Sequence, residues 1–212
     1  LPIAAGDTLP EDSSNDTRLL TRSGASNVRS LRARTLAEVS SPEFAAALNE
    51  ARGVWFSGGR QWRFVDAYLG TPAETLLAGV LERGGVIGGS SAGASIQGQY
   101  MPRGSPLGNT DMMAEGYERG LGYLPGVAID QHFTARGRHA DMTGLMQRYP
   151  QLLGIGIDEG TALAVRGSTA QIVGRGSAFF YDYRTGAPAG PHDYRALAAG
   201  QSYDLHTRQP LP

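Results

Sequence analysis

Two hydrophobic periods take turns along the first two-thirds of the chain. Ser41-Pro42-Glu43 sets a capping hydroxyl, a helix-opening proline and a first-turn acid in succession. Phe44, Ala47 and Leu48 continue at helical spacing towards Arg52, and Gly53 stops the run. Val54-Trp55-Phe56 is then a short apolar block of the strand type, closed by Ser57-Gly58-Gly59. Thr71-Pro72-Ala73-Glu74 has the spacing of a capping box and opens a helix through Leu76, Leu77, Val80 and Leu81. Gly84-Gly85 ends it before the strand Val86-Ile87. A third unit follows: strand Val127-Ala128-Ile129, a helix from about Gly137 to Tyr149, and strand Gly154-Ile155-Gly156-Ile157. In that helix Met142, Leu145, Met146 and Tyr149 share one apolar face.

Strands separated by helices predict an α/β fold with a mostly parallel sheet and helices on both faces. Beyond Asp158 the period changes. Residues 161–165, 170–173 and 178–181 are short strand-like runs divided by glycine and serine, which predicts a C-terminal antiparallel edge. Residues 185–212 are polar and proline-containing, with no firm element predicted. No repeat or low-complexity tract divides the chain, so residues 1–212 read as a single domain. Leu1-Pro2-Ile3-Ala4-Ala5 opens with apolar residues and no methionine, as if inside a strand, and lacks the pattern of a secretory signal. Localisation is left unknown from this end, with the cytoplasm favoured over secretion.

Composition narrows the chemistry. With 41% hydrophobic and 18% charged residues the chain is not a disordered polyelectrolyte. Its apolar runs fall short of the roughly 18 residues that a membrane span needs, so no membrane partner is expected. A formal net charge of −1 supplies no field for collecting phosphates, which excludes nucleic acid as a main partner. Cysteine is absent, removing thiol nucleophiles and thiolate metal sites. All 19 basic residues are arginine, which removes Schiff-base and Ser-Lys chemistry. The four histidines, His132, His139, His192 and His206, are scattered without metal-ligand spacing; neither metal nor cofactor is implied.

Gly88-Gly89-Ser90-Ser91-Ala92-Gly93-Ala94 contains Gly89-x-Ser91-x-Gly93, the nucleophile-elbow spacing, placed after a strand and before a helix. Small residues suit a turn so tight that the serine is forced into a strained backbone conformation, and the following helix turns its amides towards the site. Ser91 fits the spacing better than Ser90. Asp130-Gln131-His132-Phe133 lies just past a strand, at the sheet edge where α/β proteins keep their sites, which makes His132 the candidate base. His139, His192 and His206 are expected at the surface. Asp158-Glu159 follows the next strand, and since neighbouring side chains point to opposite faces, one of the two is expected to reach His132. Asp130 is a rival orienting group. Ser57-Gly58-Gly59-Arg60-Gln61 offers a backbone amide to an oxyanion from the side opposite the elbow.

Together with Gly122-x-Leu124-Pro125-Gly126, these segments resemble the cyanophycinase-type serine peptidases, relatives of the aspartyl dipeptidases, over about Ile3 to Phe180. The resemblance implies a flavodoxin-like sheet related to class I glutamine amidotransferases, with Ser91 as nucleophile, His132 as base and Glu159 as third member. It implies an oxyanion hole from the amides of Gly59 and Ala92, and a pocket lined by Gln61, Asp130, Gln131 and an arginine, Arg136 or Arg138. The implied substrate is an aspartyl or β-aspartyl peptide, cleaved by an exopeptidase that is often a homodimer. Two features depart from the family: Arg60 stands where an aspartate is usual, and the usual first strand and helix would fall before Leu1. The order Ser…His…Glu differs from the Ser…Asp…His of α/β-hydrolases. A small-molecule esterase or amidase using the same serine, and a non-catalytic binding module on the same scaffold, are the rival readings.

Overall fold

Hydroxyl caps at Thr35, Ser41 and Thr71 set where three of the early helices begin. The computed structural model describes residues 15–187 and 190–212; the apolar opening Leu1-Pro2-Ile3-Ala4-Ala5 lies outside them. The chain runs through α1 (Asn15–Arg22), α2 (Leu36–Val39) and α3 (Pro42–Glu50) into β1 (Gly53–Phe56). Next come α4 (Trp62–Tyr68), α5 (Pro72–Glu82), β2 (Val86–Gly89), the single turn α6 (Ala92–Ser95) and β3 (Gly98–Tyr100). The central part holds β4 (Leu124–Gln131), a 3-10 turn (Thr134–Arg136), α7 (His139–Arg148) and β5 (Leu153–Ile157). The remainder is all strand: β6 (Thr161–Arg166), β7 (Thr169–Gly174), β8 (Ser177–Asp182), β9 (Arg195–Ala198), β10 (Ser202–Asp204) and β11 (Gln209–Leu211).

Ser41 caps α3 as its sequence predicts, its hydroxyl accepting from the Phe44 amide. Thr71 caps α5, but Glu74 reaches the amide of Gly70 rather than that of Thr71, so only half of the predicted box forms there. The complete box is at Thr35 and Glu38, on the short α2.

The parallel strands are divided between two sheets. Among the described residues β1 pairs only with β2, and β3, β4 and β5 are parallel neighbours in a five-stranded sheet that continues antiparallel through β8 and β9. That antiparallel continuation is the expected edge. It carries only part of the C-terminal third, because β6, β7, β10 and β11 form a separate antiparallel sheet. The supposedly irregular tail thus supplies β9, β10 and β11.

Helices cover one face of the five-stranded sheet and share the other with strands. Met142, Leu145 and Met146 of α7 pack on one face with Ala128 and Phe133. The other face, with Val127, Ile129, Ile155 and Phe180, is covered by the second sheet through Ile172 and Tyr203 and by Ala94 of α6. Phe180 and Tyr203 stack at 3.9 Å between centroids. Alternation along β4 and β5 is what gives both faces an apolar set. Around β1, Phe56 meets Phe64 and Tyr68 of α4 and Leu77 of α5 in a third core. Room for these side chains comes from the glycines of β5: a Cβ on Gly156 would lie 2.4 Å from the Phe133 ring, and one on Gly154 would lie 2.6 Å from the Met142 sulfur.

Candidate active site

The end of β2 makes the elbow. Ser91 adopts φ 53° and ψ −119°, a conformation that L-residues avoid and that persists only where the surroundings hold it. What holds it is close packing beneath the turn. A Cβ on Gly89 would lie 2.3 Å from the Gly93 carbonyl oxygen, and one on Gly93 would lie 2.0 Å from the Phe56 carbonyl oxygen. The two glycines on either side of Ser91 therefore let β2, α6 and β1 touch backbone to backbone. The helix after the elbow is one turn long, from Ala92 to Ser95.

Ser91 is half-buried and its hydroxyl faces β4. Its Oγ lies 3.0 Å from Nε2 of His132 and 3.3 Å from Oε1 of Gln131, so the hydroxyl can donate to either. Ser90 is exposed and takes no part in this arrangement. His132 follows the last residue of β4 and also has positive φ, 52°. Its Nδ1 lies 2.8 Å from Oε1 of Glu159, beyond the end of β5. Asp158 turns the other way and accepts the amide of Thr134, capping the 3-10 turn. Of the adjacent acids, then, Glu159 is the one beside His132. With the imidazole 27% and the carboxylate 61% exposed, this pair lies at an open rim where solvent screens it.

The 57–61 loop closes the site from the opposite side. A Cβ on Gly58 would lie 3.3 Å from the Ser91 Cβ, so the loop backbone comes close beside the serine. Gly59 follows with φ 139°, again a glycine conformation. Among the described residues, neither the Gly59 nor the Ala92 amide donates to a protein acceptor, which is the condition an oxyanion-binding amide must meet.

Three of the residues expected in the pocket, Gln61, Asp130 and Arg138, lie elsewhere. Gln61 is buried, with Nε2 donating to the Pro102 carbonyl, and acts as a loop staple. Asp130 has no exposed surface. It is sealed between Arg103, whose Nε lies 3.1 and 3.0 Å from its two oxygens, and Arg138, whose terminal nitrogen lies 2.7 Å from Oδ1. Burial pushes the Asp130 carboxyl up, and the flanking guanidiniums pull it back down. Arg138 is likewise buried, so both lie beneath the site because α7 and the 101–109 loop close over the end of β4. Nor does Asp130 orient His132. Gln131 does reach the site, and Arg136 stands exposed on the 3-10 turn next to it. Arg103 gave no sequence signal, being one arginine in a Pro-Gly loop.

His139 is packed rather than superficial: its Nδ1 lies 2.8 Å from the Tyr181 hydroxyl and its ring rests against Phe133, Phe179 and Tyr194. Burial pushes its imidazole down. Two surface cavities, of about 670 and 620 Å³, contain none of Ser91, His132 and Glu159; the first lies by Asp182, Tyr203 and Arg208, the second by Trp55 and Val86. The arrangement available for chemistry, Ser91, His132 and Glu159, thus lies apart from both cavities, on the rim where β2, β4 and β5 end.

Comparison with known proteins bears on that chemistry. The family model for peptidase family S51 matches residues 15–173. The cyanophycinase of Trichormus variabilis is 32% identical over 212 residues, covering 92% of this chain and 71% of its own length. That of Geminocystis herdmanii is 28% identical over 204 residues, covering 89% and 75%. A solved peptidase from an acI-B1 actinobacterium, 24% identical, superposes with a TM-score of 0.66 over 88% of this chain and 72% of its own, a likeness of fold. A putative peptidase E protein from Listeria monocytogenes, 17% identical, gives a TM-score of 0.50 over 62% and 64%.

Proposed function

The chain belongs to peptidase family S51 and is a serine-type peptidase; from that premise we propose that it is an exopeptidase acting on aspartyl or β-aspartyl peptides through Ser91, His132 and Glu159. The observation that carries this reading is the 3.0 Å approach of the Ser91 hydroxyl to His132 Nε2. It occurs at a serine whose strained backbone is held by the close packing beneath the turn.

In the mechanism, His132 takes the Ser91 proton as the oxygen attacks the amide carbonyl. The imidazolium then formed is oriented and stabilised by Glu159, 2.8 Å from its other nitrogen. The amides of Gly59 and Ala92 receive the oxyanion. Collapse of the tetrahedral intermediate expels the amine, protonated by His132, and water hydrolyses the acyl-enzyme by the same steps in reverse order of partners. Gln131, in contact with Ser91, and the exposed Arg136 would meet an acidic substrate. The scaffold would be the flavodoxin-like one, in support of which the parallel β4 and β5 deliver Gln131, His132 and Glu159 from their carboxyl ends. Arg60, whose guanidinium is tied to the Ser105 carbonyl 2.7 Å away, adds positive charge near this rim and favours carboxylates over guanidinium groups there.

The test is hydrolysis of aspartyl and β-aspartyl dipeptides, and of their amide and ester analogues, by the native chain and by Ser91→Ala. Loss of the serine should lower turnover by roughly three or more powers of ten. Undiminished turnover would move the chemistry away from Ser91, and a preference for uncharged esters would favour a small-molecule esterase.

A further inference from the structure

We infer that Arg103 is a positioning residue for the Ser91–His132 pair. It acts through Asp130, and the 101–109 loop that it anchors fixes the oxyanion side of the site against the base side. The inference rests on Ser91 and His132 acting as proposed above.

Arg103 is a buried arginine with positive φ, 62°, a conformation that needs outside support. Its whole guanidinium is engaged. Nε bonds both oxygens of Asp130, one terminal nitrogen donates to the Asn109 carbonyl at 3.0 Å, and the other lies 3.0 Å from Asp130 Oδ2 and 2.7 Å from Asp141 Oδ2. Asp130 passes this order to the residue before His132. Its Oδ1 accepts the Gln131 amide at 3.0 Å, while Arg138 donates to both Asp130 Oδ1 and the Gln131 carbonyl at 2.7 Å. Both main-chain polar groups of Gln131 are therefore gripped by the ion cluster. The Gln131 side chain touches Ser91, and His132 follows with its own strained φ.

The same loop also grips the opposite side. The Pro102 carbonyl accepts from Gln61 at 3.3 Å and the Ser105 carbonyl accepts from Arg60 at 2.7 Å. Gln61 and Arg60 belong to the loop that presses Gly58 on Ser91. β1 and β2 share no ladder with β3, β4 and β5 among the described residues, so no strand pairing fixes the oxyanion loop relative to His132. The polar loop supplies that tie. An arginine suits it because a rigid fork fixes direction as well as charge, which an ammonium does not.

The experiment uses the full chain carrying Arg103→Lys, Arg103→Met or Asp141→Asn, each also combined with His132→Ala. The readouts are kcat and KM on an aspartyl peptide, the rate of Ser91 labelling by a fluorophosphonate across pH, and cooperative unfolding. Arg103→Lys should fold, keep KM within a few-fold, and lower kcat and the labelling rate roughly 10- to 100-fold, the cost of a misplacement of up to an ångström. In the His132→Ala background the same change should cost nothing more, because the residue it positions is gone. Native labelling rates in Arg103→Lys, or an equal fold-loss with and without His132, would overturn the inference in favour of a purely structural role. If Arg103→Met does not fold, Arg103→Lys and Asp141→Asn decide. Ser91-dependent hydrolysis with unperturbed Arg103 variants sinks this inference alone, whereas hydrolysis independent of Ser91 sinks the functional reading and the inference with it.

Discussion

A methyl group added at Gly93 tests whether close packing beneath Ser91 arms the site. The new Cβ would sit 2.0 Å from the Phe56 carbonyl oxygen, 2.5 Å from its carbon and 2.7 Å from its Cβ. None of these is the free end of a flexible side chain. To reach ordinary contact, α6 and β1 must separate by roughly 1.4 Å, a displacement that cores accept at a cost of about 1–3 kcal/mol or more. Gly93 lies in the single turn that carries Ser91, so the shift passes to the Ser91–His132 contact. A misplacement near 1 Å costs on the order of 100-fold in rate. Gly93→Ala should therefore lower the denaturant midpoint and slow fluorophosphonate labelling of Ser91 about 100-fold. Gly144→Ala is the control, since nothing lies within 4 Å of a Cβ there. A Gly93→Ala protein that folds and labels at the native rate would refute the argument that the elbow depends on this contact.

Glu159→Gln should reduce turnover by less than Ser91→Ala or His132→Ala, on the order of 10- to 1,000-fold, because an open carboxylate orients the imidazole under solvent screening; parallel kcat measurements would expose an equal loss as contrary. His139 gives a pH signature. Its pKa is held below the ordinary value near 6.5 by burial, with Asp158 and Asp193 pulling it back in part and His192 adding to the depression. The unfolded chain thus takes up this proton first, and stability falls as pH drops below about 6.5 until folded His139 protonates too. Urea unfolding at pH 5 and 7.5 should show a smaller difference for His139→Gln than for the native chain; an unchanged difference would assign the slope to other groups.

Local chemistry was legible wherever neighbours in sequence are also neighbours in space. The Ser41 cap, the strand at residues 54–56, the apolar face of α7 and the Gly89-x-Ser91-x-Gly93 turn are set by contacts within a few residues or by backbone periods. Strand-end position singled out His132 before any distance was known. Glu74 shows the limit of such reading: its spacing specifies a capping box, yet its carboxylate is shared between Gly70 and Arg119.

By itself the sequence determined an α/β chain with a glycine-flanked serine, a histidine at a strand end and an acid pair at the next, because steric room and side-chain period are local properties. Tertiary structure decided which acid faces the imidazole, since the turn after β5 aims Glu159 at the rim and commits Asp158 to the Thr134 amide. It also decided that Asp130 and Arg138 are sealed rather than open, and that a second sheet joins α6 in covering the far face of β4 and β5. These outcomes depend on partners such as Arg103, 27 residues from Asp130, and Tyr203, 23 residues from Phe180; only the folded chain brings such pairs within contact, so no local pattern can announce them.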